Sequence, residues 1–363
     1  MRPETAVAVQ RQSDKPLRPV SFFEFWPGWL FYTPVVIHWL ILGLRYGDFS
    51  LPTAANPNIT TGGLCGESKL SILAQVGPDA QDLLAPACGV LALPDGAAAA
   101  EKAMEACDLH YPVVAKPDIG CNGTGVRLIR NRTDLQNYLA TFPEGETIVL
   151  QRYVEEPNEA GIFYVRHPDE PRGRITSLTI KQPPVVVGDG RRTLRELILA
   201  DERARLVPHL YLARLAARLD QIPEQGDPVQ LVFVGNHCKG SIFRDGRTLI
   251  TPALTDAIER LVRAMPDFFF GRIDVRFTST AALRRGTGFC VIEINGAGSE
   301  ATHIWDPATT LREAWATQFF HYGAAFRIGA ANRRRGFTPA GLRTVYRHWQ
   351  NQRRLMSRYP LND

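Results

Sequence analysis

FGRIDVRF (270–277) and FCVIEINGAGSEATH (289–303) carry the reading of this chain. Two apolar runs of strand type, 268–277 and 289–294, flank a polar break at 279–287, which predicts a hairpin. Asp274 lies on the first strand; Glu293 and Asn295 lie on the second, two apart, so both project from one face. If the strands pair, Asp274 joins them there. Two carboxylates and a carboxamide oxygen beside Arg272 make a hard-oxygen set suited to Mg²⁺ bridging phosphates. The competing reading is an edge hairpin with solvated acids. Flanking Ile, Val and Phe predict half-buried acids, where an unpaired carboxylate is costly. On these residues alone both readings stand.

With 363 residues, 45% of them hydrophobic, the chain is long enough for two or three packed layers or lobes. A net charge of +5 is too mild to imply nucleic acid, and none is expected. The six cysteines (65, 88, 107, 121, 238, 290) show no CxxC and no Cys/His metal spacing, so they read as reduced thiols. No internal repeat is visible.

Residues 1–20 are polar, basic and aperiodic, and read as a disordered arm. Residues 21–47 are dense in aromatic and aliphatic side chains, with no formal charge from Phe25 to Leu44. Such a stretch is about long enough to cross a bilayer. Pro27, Gly28 and Pro34 argue against one straight span. A kinked, shallow insertion, a full span, and a helix packed on the protein's own core all remain open.

Downstream, ESKLSIL opens a helical pattern at Lys69, and 97–107 is a second helix. PVVAKP (112–117) is a buried strand ending in Lys116 and Pro117. It runs into IGCNGTGVRLI, whose Gly120, Gly123 and Gly125 free the backbone to cradle phosphate oxygens. Read alone, that loop is equally a plain hairpin turn. Because a strand follows it, it is no dinucleotide fingerprint, and no GK[ST] closes it as a Walker loop.

Strand-lysine, glycine loop and strand, followed by the IDV…EIN pair, resemble the ATP-grasp superfamily over roughly 65–310. The nearest branch is that of D-alanine–D-alanine ligase-like and cyanophycin-synthetase-like enzymes. The resemblance implies an α+β fold of two lobes clasping ATP, here with 48–110 as a truncated N-terminal subdomain and 111–330 as the ATP-grasp domain. It implies Lys116, with Lys69 upstream, on the α- and β-phosphates, and Gly120 to Gly125 as the loop closing over them. TIVLQRYVEEPNEAGIFYV resembles the hinge: Gln151, Arg152, Tyr153 and Val154 would line the adenine slot, and Glu159 would hold the ribose. The family usually has Glu where Gln151 stands, and the ribose acid stays open between Glu156, Asn158 and Glu159. Lys181 would reach the γ-phosphate, and Thr193 caps a structural helix. Asn236 and Lys239 would face substrate. Arg272 would contact the transferring phosphoryl group, with Asp274, Glu293 and Asn295 ligating two Mg²⁺ ions, Mn²⁺ being a substitute. The following loop would bind the acceptor through Gly298, Ser299, Glu300, His303 and Asp306. It lacks the family's Ser-Pro-Gly form, so an acceptor other than D-alanine is expected.

After a helix at 308–330, the tail (331–363) is basic: Arg327 to Arg358 holds nine arginines and no acid. Thr338-Pro339 starts a helix with an apolar stripe of Leu342, Val345, Tyr346, Trp349 and Met356. It reads either as a binder of anionic membrane or as a solvated helix docked on the protein. The expected activity is ATP- and Mg²⁺-dependent joining of a carboxylate to an amine through an acyl phosphate, at the cytoplasmic face of a membrane, on an amphiphilic or lipid-linked substrate. A small-molecule kinase and a non-catalytic nucleotide-binding membrane adaptor are the alternatives. The sequence is compatible with a homodimer and fixes no oligomeric state.

Overall fold

The computed structural model describes residues 20–232, 235 and 240–360. In chain order the elements begin with α1 (Gly28–Tyr46), α2 (Lys69–Leu73), β1 (Ala87–Leu91), α3 (Ala97–Ala106), β2 (Val113–Pro117), β3 (Arg127–Ile129), α4 (Arg132–Thr141) and β4 (Thr147–Arg152). There follow β5 (Asn158–Val165), β6 (Arg174–Gln182), β7 (Val185–Val187), α5 (Leu194–Ala200), α6 (Pro208–Leu212), β8 (Pro228–Gln230) and β9 (Ile242–Asp245). The last are α7 (Pro252–Arg263), β10 (Phe270–Phe277), α8 (Thr280–Arg284), β11 (Phe289–Asn295), α9 (Leu311–Arg334) and α10 (Leu342–Met356).

Two larger antiparallel sheets make two α+β lobes, the class the resemblance implies, and β7 pairs with β8 in a third, two-stranded sheet. The first, ordered β1-β4-β2-β3, is backed by α3 and α4 over a core of Val90, Val113, Ala115, Tyr138, Ile148 and Leu150. The second, ordered β11-β10-β5-β6-β9, packs on α7. That helix forms because Thr251 caps it, Pro252 suits its first turn, and Leu254, Ile258, Leu261 and Val262 recur on one face. The expected hairpin is the pair β10–β11, with Asp274 opposite Glu293 and Arg272 opposite Asn295. Its polar break folds into α8 instead of remaining a loop, because Ser279 caps a first turn. Thr193 forms a full capping box with Glu196 on α5.

One buried side chain clamps the 48–66 loop under the second sheet. Asn56 donates to the Phe270 carbonyl at 2.8 Å and accepts from the Phe269 and Phe270 amides at 2.9 and 3.1 Å. Gly63 then lies so close to Gly296 that an added Cβ would sit 2.6 Å from its Cα. The loop after β11 is thereby set in place.

The apolar segment becomes α1, which lies against α9. Phe31, Val35 and Leu42 are buried, and Trp315 donates its indole N–H to the Phe31 carbonyl at 3.0 Å. Pro34 is accommodated inside the helix. Among the described residues no helix is long and apolar enough to cross a membrane. Its outer face nevertheless exposes Trp29, Val36, Ile37, Leu40, Ile41 and Leu44. α10 docks on the protein with Leu355 buried against the chain, so its stripe divides: Trp349 and Met356 turn to a cavity between the lobes, while Leu342 and Tyr346 are exposed.

Candidate active site

A cavity of about 850 Å³ lies between the lobes. β2 ends beside it with Pro117 still paired to Ile148 of β4, and the preceding Lys116 is buried at the cavity wall. The lysine donates to the Gln151 side-chain oxygen at 2.8 Å and to the Ile292 carbonyl at 3.0 Å. Neither partner is an anion, so burial pushes its pKa down to about 8 even though Glu293 opposes the shift.

Asp274 is buried between two cations. Arg272 donates to it at 2.9 and 3.0 Å, and Lys181 Nζ lies 3.2 Å away. Burial raises the carboxyl, but the Arg272 and Lys181 charges outweigh it and hold the group below the ordinary carboxylate range. Lys181 reaches Glu159 at 2.9 Å as well. Lys69 lies 3.5 Å from Glu293, whose carboxyl burial raises but the Lys69 and Lys116 charges lower. Lys69, Lys116, Arg152, Lys181, Arg272, Arg276 and Arg353 line the cavity against the carboxylates of Glu67, Glu159, Asp274, Glu293 and Glu300, a net positive lining that favours a polyanion.

The glycine loop needs its glycines: φ is 64° at Gly123 and 72° at Gly125, and Asn122 joins them at 56°. Tyr138 anchors the Gly125 carbonyl at 2.6 Å, and Lys69 donates to that of Gly120. Arg152, Tyr153 and Val154 line the cavity beside Gln151. Of the three open acids or amides, Glu159 lines it; Asn158 instead donates to the Phe277 and Thr278 carbonyls, and the Glu156 carbonyl accepts from Arg276.

Asp274, Glu293 and Asn295 line the cavity together. Among the described residues no three His, Cys, Asp or Glu side chains group as metal holders. Two carboxylates and one carboxamide are donor types that suit a hard cation arriving with phosphate oxygens; Asn295 turns its amide nitrogen to Asp274 at 3.5 Å and Arg272 and Lys181 hold that carboxylate, so these contacts would have to be exchanged for the ion. Ser299 accepts from the Arg272 amide at 3.1 Å, and Gly298 packs on the Leu64 carbonyl.

His303 departs from expectation. A single 3₁₀ turn at Thr302–Trp305 carries it away from the cavity into the core, where its ring meets Ser177 Oγ at 2.6 Å. Burial, then the Arg247 charge, lowers its pKa to about 4, so it is neutral. Asp306 is likewise spent on structure, accepting from the Asp245 amide at 2.7 Å. Asn236 and Lys239 lie outside the described residues.

The structure adds residues that local patterns do not single out. Glu67 lines the cavity, and burial pushes its carboxyl up. Its Oε2 has no hydrogen-bond partner among the described residues. Tyr32 of α1, Trp305 and Tyr322 wall one end. α10 closes another side with Trp349, Gln352, Arg353 and Met356. It is fastened by Gln352 accepting from the Gly66 amide at 2.8 Å and by Tyr359 donating to the Ile119 carbonyl at 2.7 Å.

No family model matches the chain, and no curated protein matches it. Among solved structures, it is similar to a bifunctional glutathione synthetase from Pasteurella multocida, at 20% identity over 69% of this chain and 35% of that one, with a TM-score of 0.34. This chain therefore spans about a third of that protein's length. It is similar also to a D-cycloserine synthetase (14% identity, 75% and 70% covered, TM-score 0.39) and to D-alanine–D-alanine ligase from Bacillus anthracis (14%, 77% and 70%, TM-score 0.42). Superpositions this loose assign no activity to the chain; that rests on the side chains gathered in the cavity.

Proposed function

We propose that this protein is an ATP- and Mg²⁺-dependent ligase that joins a carboxylate to an amine. The observation that carries the reading is the convergence of Lys69, Lys116, Lys181 and Arg272 with Asp274, Glu293 and Asn295 in one cavity bounded by the glycine loop. The lysines and the loop bind and orient the triphosphate. Arg272 and Lys181 then stabilise charge on the transferring phosphoryl group. To do so, both must exchange part of their present contact with Asp274 and Glu159 for phosphate oxygens. A carboxylate oxygen of the substrate attacks the γ-phosphorus, the bond from that phosphorus to the β,γ-bridging oxygen breaks, and ADP leaves. The amine then attacks the acyl carbon, gives up a proton, and displaces inorganic phosphate. Asp274, Glu293 and Asn295 would hold Mg²⁺, which when bound supplies charge neutralisation of the phosphates.

We propose further that the reaction runs at the cytoplasmic face of a membrane, with ATP drawn from the cytoplasm. What supports contact with a membrane is the apolar outer face of α1, where Trp29 is 72% and Leu44 74% exposed, together with the exposed Leu342 and Tyr346 on the basic α10. Catalysis is tested by ADP release with Mg-ATP and pools of amino acids and lipid extract, beside Asp274→Asn. Turnover that needs a pool and vanishes in the variant supports the ligase; a stable phosphate ester as product would make the protein a kinase. Membrane placement is tested by sedimentation with phosphatidylglycerol vesicles. Binding that Ile37→Asp with Ile41→Asp leaves unchanged would remove it.

A further inference from the structure

We infer that the amine substrate is the amphiphile: its ammonium head is held by Glu300 in an aromatic end of the cavity, and its tail leaves along α1. This rests on the ligase reading above and decides which of the two substrates carries the hydrophobic chain.

Glu300 lines the cavity next to the phosphoryl-contacting residues, since Arg272 Nη1 donates to its backbone carbonyl at 3.3 Å. Its carboxylate accepts from Tyr32 Oη at 2.9 Å, from Trp305 Nε1 at 2.6 Å and from Gln318 Nε2. All three donors are neutral. Among the described residues no lysine, arginine or histidine side chain forms an ion pair with this carboxylate. A carboxylate offers about four lone-pair directions, so one acceptor direction remains for a cationic ligand, and the charge, felt also by Arg272, has no ion-pair partner among the described residues. Tyr32, Phe243, Trp305 and Tyr322 line the same end, and aromatic faces attract ammonium groups. An anionic head would be repelled here and drawn to Lys181 and Arg272 instead, so the two substrates sort by charge.

The route for a tail follows from helical spacing. Tyr32 sits on the flank of α1, with Trp29 three residues before it and Val36 four after, on adjoining turns of the same flank. These two are 72% and 55% exposed, and Leu40 continues the stripe at 47%. A chain passing Tyr32 therefore meets apolar surface at once.

The test uses n-alkylamines from propylamine to decylamine as probes, titrated into the full-length protein with Mg²⁺ and a non-hydrolysable ATP analogue, and read by calorimetry. Affinity is expected to rise about three- to four-fold per methylene, and matched alkylcarboxylates are expected to bind at least ten-fold more weakly. Glu300→Gln should weaken every amine about ten-fold or more without changing nucleotide affinity. Trp29→Asp with Val36→Asp should flatten the chain-length dependence while sparing propylamine. If Glu300→Gln does not fold, Tyr32→Leu should weaken decylamine and leave the nucleotide alone. Carboxylates binding as tightly as amines, or amines indifferent to these variants, would overturn the inference. Amine binding that survives in a protein unable to bind nucleotide would overturn the ligase reading and keep the subsite, so the two failures are distinct.

Discussion

Lys116 gives the site a pH signature that can be worked out beforehand. In the ligand-free protein burial holds its pKa at about 8, against an ordinary 10.5. A triphosphate beside it favours the charged form and returns the pKa to about its ordinary value or higher. Binding then takes up a proton above pH 8, and affinity falls as pH rises. Between pH 7 and 9.5 those two values give a loss of about thirty-fold, or about 2 kcal/mol. The sign for the free fold is the opposite. The unfolded lysine keeps a proton that the native one lacks between pH 8 and 10.5, so the ligand-free protein gains stability over that window. The assay is calorimetric titration with Mg²⁺ and a non-hydrolysable ATP analogue across that range. Lys116→Arg, which does not titrate there, should bind with little pH dependence. Gln151→Glu supplies the missing anion and should move the fall to higher pH. A wild-type curve that is flat, or parallel to that of Lys116→Arg, would refute the reasoning.

Three further outcomes follow from the same structure. Asp274→Asn removes the charge between Arg272 and Lys181; ADP release should vanish, and urea unfolding should show a loss of about 3 kcal/mol, the usual cost of stripping one partner from buried ions. His303 is held neutral at about 4, below its ordinary 6.5, so the fold loses stability as pH drops through that window, by about 2 kcal/mol between pH 7 and 4.5. Urea midpoints at the two values check this, and the loss should be smaller in His303→Asn. Tyr359→Ala removes both the bond to Ile119 and the stacking on Phe142, whose ring centroid lies 4.9 Å away. Limited proteolysis should then cut 119–125 faster, and nucleotide affinity should fall several-fold.

Much of the site was legible because it lies on regular elements with short-range patterns. The alternation of β11 puts Glu293 and Asn295 on one face, and an apolar run with a terminal proline marks the strand that carries Lys116. The glycine loop and the Thr193 box are equally local signals. What was not legible depends on partners far away in the chain. Tyr32 meets Glu300 across 268 residues, and Asn56 meets Phe270 across 214. No periodicity announces either. The docking of α10 against Gly66 and Ile119 was invisible for the same reason: an arginine-rich amphipathic helix has the same pattern on a membrane or on its own domain. His303 shows the limit of adjacency. It sits four residues from Ser299, yet one 3₁₀ turn points it into the core.

The most direct measurement traps the intermediate on which the proposed activity depends. Purified protein, Mg-ATP, hydroxylamine and pooled carboxylic acids are incubated together, and ADP and hydroxamate are quantified. An acyl phosphate formed in this cavity predicts hydroxamate in equal amount to ADP, dependent on one acid and absent in Asp274→Asn. ADP accompanied by a stable phosphate ester and no hydroxamate, or bound ATP that is never turned over with any acid, would contradict the account.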